Sequence, residues 1–161
     1  MKLKKTLVSV TVVVLGMLVS GVVLAQSNPS AGTWKLNTEK SKFSPGPAPK
    51  SLTLTLEAQD NGVKASSQGT APDGSPTTWS YTANYDGKSN PISGTGPSGA
   101  DTIALKRINP NTTKSTFKKA GKVVRTSRLV VSKDGKVMTI TAKGTGSDGQ
   151  PVNDVLVFDK Q

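Results

Sequence analysis

The side chains in this sequence best suited to specific chemistry are its three arginines, Arg107, Arg125 and Arg128, which lie close together while every other cation is lysine. A guanidinium offers a rigid fork of donors that grips a carboxylate or phosphate through two bonds, whereas an ammonium acts as a point charge. Positions 125 and 128 differ by three, so on an unbroken strand they point to opposite faces. With Val123, Leu129 and Val131 turned inward, Arg125 shares their face, and Arg107 shares that of Ile103 and Leu105. An inward guanidinium needs a partner, because burying an unpaired charge is prohibitive. The anionic group of a bound molecule is one such partner. The alternatives are a β-bulge between 125 and 128, or a rim position from which the head reaches water. Trp79, Tyr81 and Tyr85 share a second face, either as a core stripe or as a pocket wall that stacks on a ring or acyl chain. The candidate ligand-binding residues are therefore Trp79, Tyr81, Tyr85, Arg107 and Arg125.

Other chemistry is excluded by what is missing. The 161 residues include no His and no Cys, which removes Ser-His-Asp triads, Cys nucleophiles, Cys/His zinc sites and disulfides. Among the carboxylates, Asp73, Asp86, Asp134 and Asp148 each precede Gly and read as turn residues. Glu39, Glu57, Asp60, Asp101, Asp154 and Asp159 remain, with nothing to mark two of them as partners and no Asp-x-Asp-x-Asp calcium loop. The expectation is a protein that is not an enzyme and needs neither metal nor cofactor. A hydrolase or transferase built on carboxylates alone would require an enclosed acidic pair.

Charge is unevenly spread. Thr102–Lys143 carries eleven basic residues and a single acid, Asp134. Lys106, Lys114, Lys118, Lys119, Lys122 and Arg128 are the candidate basic face. Such a wall either attracts anionic lipid or acidic polysaccharide, or is a solvated face that blunts edge pairing. Nucleic acid is disfavoured, because base stacking wants aromatics and this stretch has only Phe117.

The elements that must hold these residues are strands. Leu52, Leu54, Leu56 and Ala58 alternate with polar residues, as do Trp79, Tyr81 and Ala83, and weaker alternations run over 102–108, 113–119, 123–132, 137–143 and 152–158. Thr33–Leu36 and a short stretch near Pro91–Ser93 add two more. Asn61-Gly62, Asp73-Gly74, Asp86-Gly87, Asp134-Gly135 and Asp148-Gly149 separate them as hairpin turns, with Ala120-Gly121 and Asn109-Pro110-Asn111 at two further junctions. No stretch has helical apolar spacing. The fold class is all-β: an antiparallel up-and-down meander of eight to ten strands closed into a barrel, with a two-sheet β-sandwich as the alternative.

Ahead of this domain lies an export signal. Lys2, Lys4 and Lys5 precede an uncharged run, Leu7–Ala25, that ends Val23-Leu24-Ala25. Cleavage is expected between Ala25 and Gln26, giving a secreted or periplasmic protein. In the remaining chain, 26–161, Leu, Ile, Val and Phe make up only 23 residues. That is about 17%, a composition at which disorder is the default. The regular placement of turns between alternating segments argues for one folded domain over 26–161 instead. Pro45, Pro47 and Pro49 mark 37–50 as an extended segment over one rim.

Gly32-Thr33-Trp34 in the first strand resembles the opening of lipocalins and fatty-acid-binding proteins, the calycin barrels, and Leu156-Val157-Phe158-Asp159-Lys160 resembles their last strand. The resemblance implies a barrel of secreted bacterial lipocalin-like type, with Trp34 packed across its closed end. It departs from fatty-acid-binding proteins where their carboxylate-gripping Arg-x-Tyr would fall, at Leu156 and Phe158, and in having no two-helix lid. By analogy it implies a monomeric carrier of a small hydrophobic or anionic molecule. The competing expectation is an envelope protein whose basic exterior meets an anionic surface or polysaccharide.

Overall fold

The computed structural model describes residues 28–146 and 148–161; the expected leader, 1–25, and its cleavage site lie outside them. Eleven strands follow in chain order: β1 (Gly32–Leu36), β2 (Ser51–Gln59), β3 (Gly62–Thr70), β4 (Pro76–Asn84), β5 (Asp86–Pro91), β6 (Ser93–Gly94), β7 (Thr102–Asn109), β8 (Thr112–Lys119), β9 (Lys122–Val131), β10 (Val137–Thr145) and β11 (Pro151–Lys160). They form one antiparallel sheet in the order β5-β7-β8-β9-β10-β11-β1-β2-β3-β4-β6, curled into a nearly closed barrel. A single 3-10 turn, Pro97–Gly99, is the one helical element among the described residues.

Turn chemistry explains why the strands end where they do. The Asp73 carboxylate accepts the Ser75 N–H at 2.9 Å, Asp134 that of Lys136 at 3.1 Å, and Asp148 that of Gln150 at 3.1 Å. In each case a side chain bonds the backbone two residues on and stands in for a backbone turn. Ala120 and Gly121 both take positive φ, 48° and 77°, between the paired Lys119 and Lys122. A two-residue hairpin with matching twist requires that geometry. Asp86-Gly87 departs from its expected role: it opens β5 beside a register shift, and no hairpin joins β4 to β5. Here the chain crosses between the ends of the sheet, with β5 pairing β7 and β6 pairing β4.

The interior is divided between two ends of the barrel. At one end Trp34, Val63, Ala83, Leu105, Val131 and Met138 pack solidly, none more than 4% exposed. The Trp34 indole N–H donates to the Ser30 carbonyl at 2.8 Å, so residues 28–31 fold across this end. At the other end the side chains leave a hollow. After β1 the chain keeps running beside β11, with Asn37 N–H on Val157 O and Lys42 paired to Val155, which brings Phe43 to that hollow.

The irregularity that bears on the site is in β9. Arg125 in β9 faces Phe117, but the next residue of β8, Lys118, faces Val123, leaving Val124 as an extra residue. This bulge reverses the facing of everything before it. Val123 is therefore 58% exposed on the outer surface, contrary to the inward position expected for it, while Arg125, Leu129 and Val131 remain on the inner face.

Candidate functional site

The hollow is a cavity of about 510 Å³, a size typical of small-molecule sites. β2 contributes Leu52, Leu54 and Leu56, and β4 contributes Trp79 and Tyr81 from alternate positions on one face. Because these two are separated by one residue, their rings lie side by side, stacked with centroids 5.7 Å apart and planes within 3°. The opposite wall carries Phe117, Leu129, Ile140 and Leu156, and Phe43 and Pro49 reach in from the proline-rich segment. The polar residues of the lining are Ser67, Thr77, Thr95, Ser98, Ser115 and Ser127, together with a single charge pair.

That pair is Arg125 with Asp154. Nη2 lies 3.0 Å from Oδ2, and the two side chains are 14% and 13% exposed. Asp154 Oδ1 also accepts the Ser44 N–H at 3.2 Å. Arg125 is on β9 and Asp154 on β11, so the contact passes over the strand between them. The residues of β10 opposite them are Gly144 and Ala142, whose small or missing side chains leave the guanidinium room to cross. A Cβ at Gly144 would lie 2.1 Å from the Val124 carbonyl oxygen, so the same glycine also accommodates the β9 bulge. Burial holds the Arg125 guanidinium below its ordinary pKa, offset in part by the charge and hydrogen bond of Asp154. Burial also raises the Tyr81 hydroxyl well above the ordinary phenol value, with a lesser contribution from Tyr85.

Three of the five expected ligand-binding residues, Trp79, Tyr81 and Arg125, line this one cavity. Tyr85 and Arg107 meet elsewhere, at the packed end, where the Arg107 guanidinium carbon lies 4.0 Å from the centre of the Tyr85 ring. Arg107 Nε is buried there without a hydrogen-bond partner, and the Tyr85 hydroxyl accepts Asn28 Nδ2 at 3.1 Å. This contact joins β7 to the end of β4, across the seam where the sheet has no ladder. Trp34 is wholly buried and outside the cavity. On the basic face, Lys106, Lys114, Lys119, Lys122 and Arg128 are exposed, and Lys118 donates to Ser89 Oγ at 3.2 Å.

Sequence reasoning missed Asp154 and Phe43. The one available signal for Asp154 was parity: it shares the inward face of β11 with Leu156 and Phe158, the two positions where fatty-acid-binding proteins would place their carboxylate grip. Phe43 gave none, since it lies outside every alternating segment. No group of three or more acidic residues that could hold a metal ion occurs among the described residues.

The described strands form a nearly closed antiparallel barrel. No protein-family model matches the sequence, and no curated protein matches it. Among solved structures, the chain is similar in shape to EF1p2_mFAP2b bound to DFHBI, at 11% identity and a TM-score of 0.49, covering 85% of this chain and 98% of that one.

Proposed function

We propose that this protein is a non-enzymatic carrier that holds one small, uncharged amphipathic molecule in the hollow end of its barrel. The observation that carries this reading is the 510 Å³ cavity with the Trp79–Tyr81 stack on one wall. Flat aromatic surface gains more from another ring or a planar conjugated chain than from water. The serines and the Arg125–Asp154 pair give the guest a polar end to orient against.

The same pair argues for a neutral guest. Arg125 already has a counter-charge at 3.0 Å, so a bound anion would bring an uncompensated charge beside Asp154 into a poorly solvated space. Asp154 is itself tied to Arg125 and to the Ser44 N–H, which leaves it poorly placed for acid–base work. A secreted or periplasmic location of lipocalin-like type, following from the leader at 1–25, completes the proposal.

The test is binding of a neutral environment-sensitive fluorophore, N-phenyl-1-naphthylamine, to the purified protein. Saturable one-to-one binding is expected, nearly unaffected by salt because the contacts are apolar. Trp79→Ala should weaken it about tenfold. Ser127→Phe, which fills the cavity, should abolish it while circular dichroism stays unchanged. Equal affinity in the filled variant would place the fluorophore elsewhere and end the proposal.

A further inference from the structure

The outside of the barrel carries a second feature that the cavity does not explain. Lys106 faces Lys114 across β7 and β8, and Lys114 faces Arg128 across β8 and β9. These three cations stand in one row over three adjacent strands, with Lys143 beside it on β10. Like charges placed directly opposite one another destabilise a sheet. The pattern repeats at the β8–β9 hairpin, where Lys119 faces Lys122. None of these cations has a salt bridge to a described residue, and β7, β8, β9 and β10 contain no carboxylate; Asp86, which faces Lys106 from β5, pairs with Lys88 instead. Elsewhere the protein does compensate: Glu57 faces Lys64 across β2 and β3 at 3.3 Å.

Apolar side chains accompany this row. The exposed large hydrophobic residues among those described are Ile108, Val123 and Val130, at 48%, 58% and 37% exposure. All three lie on this wall. Ile108 stands at a register shift late in β7 and Val123 at the β9 bulge, so local irregularities present both of them to solvent. Ile108 joins Lys114, Arg128 and Lys143 around a shallow groove of about 370 Å³.

We infer that the outer wall of β7–β10 docks on an anionic lipid bilayer. Lipid phosphates would neutralise the Lys106–Lys114–Arg128 row, and Ile108, Val130 and Val123 would enter the boundary between headgroups and acyl chains. An acidic polysaccharide would match the charges but leave the exposed Ile and Val side chains in water. A nucleic acid would lack stacking partners, because Phe117, the one aromatic of these strands, is only 7% exposed. The inference stands independently of the cavity, since the side chains that carry it project from the opposite side of the sheet.

The experiment is co-sedimentation of the purified protein with vesicles of phosphatidylcholine alone or with about 30% phosphatidylglycerol, at low and high salt. Binding is expected on the anionic vesicles and should fall steeply with ionic strength. At about fivefold per cation, Lys106→Gln/Lys114→Gln/Arg128→Gln together should weaken it about 100-fold, while Lys64→Gln on the compensated side leaves it unchanged. Ile108→Ser/Val130→Ser should weaken vesicle binding several-fold and leave retention on a heparin column unaltered. Circular dichroism checks that each variant folds. Wild-type affinity of the triple variant would overturn the inference. So would equal vesicle binding by Ile108→Ser/Val130→Ser, which would mark the wall as a general polyanion surface.

Discussion

At the hollow end of the barrel Arg125 meets the Asp154 carboxylate at 3.0 Å, across a strand whose intervening residues are Gly and Ala. At the packed end Arg107 lies over the face of Tyr85 at 4.0 Å, with no carboxylate in contact and its Nε unpartnered. Both arginines point inward from neighbouring parts of one sheet, yet one is balanced by a formal charge and the other by a ring quadrupole. The difference follows position. Arg107 sits at the seam between the two ends of the sheet, where its guanidinium covers an aromatic and replaces missing ladder bonds with a side-chain contact. Arg125 sits in the wall of a cavity, where no ring among the described residues stacks on its guanidinium, and the counter-charge of Asp154 is what balances its burial.

On that contrast, removing the carboxylate should have the largest effect on stability. Asp154→Ala leaves Arg125 buried and alone, and should lower the free energy of denaturant unfolding by about 3–5 kcal/mol. Arg125→Met/Asp154→Leu, which removes both charges, should be neutral or up to about 4 kcal/mol more stable than wild type. A small loss in Asp154→Ala would mean that water already solvates the guanidinium, and the two ends would then differ in shape alone. At the packed end, Tyr85→Leu removes the ring under Arg107 and the acceptor for Asn28, and should cost about 1–2 kcal/mol. A loss as large as that of Asp154→Ala would show that Tyr85 carries the full burden of the Arg107 charge, which would break the comparison from the other side.

Much of this arrangement is legible from residue order because a strand has a period of two. Leu54, Leu56, Leu105, Leu156 and Phe158 alternate cleanly and all prove buried. Asx-Gly pairs mark most of the turns because the carboxylate bonds the chain two residues on, a purely local event. Hydrogen bonds from the nearby Ser75 and Ser132 hydroxyls hold the Asp73 and Asp134 carboxyls below the ordinary range. What the sequence hides is non-local or a break in the period. Val123 reads as inward because nothing nearby announces the extra residue at Val124; the room for that bulge comes from Gly144 on another strand. Asp154 cannot be matched to Arg125 from spacing, since 29 residues and one whole strand separate them. The parting of Tyr85 from Trp79 and Tyr81 is hidden too, because Tyr85 falls just beyond β4, at the end opposite the cavity.

The smallest expected effect tests how dry the hollow end is. Tyr81 is partly buried and lines the cavity, and burial raises the pKa of its hydroxyl. A group whose folded pKa lies above its unfolded value stabilises the fold fully below the unfolded value, and that stabilisation is lost as pH rises through the folded one. With an unfolded phenol near 10, the wild-type protein should lose about 0.8 kcal/mol by pH 10.5 through this residue, and about 1.4 kcal/mol per further unit. Denaturant titrations of wild type and Tyr81→Phe across that range isolate the contribution, because the variant lacks it while keeping the ring beside Trp79. In the folded wild type the Tyr81 phenolate absorbance should stay absent until the protein unfolds. If it instead rises at the pH of a free phenol with the fold intact, bulk-like water reaches the Trp79–Tyr81 wall. Arg125 would then be solvated as well as paired, and the hollow end would differ from the packed end in water content, with Asp154 no longer required to explain how its arginine is tolerated.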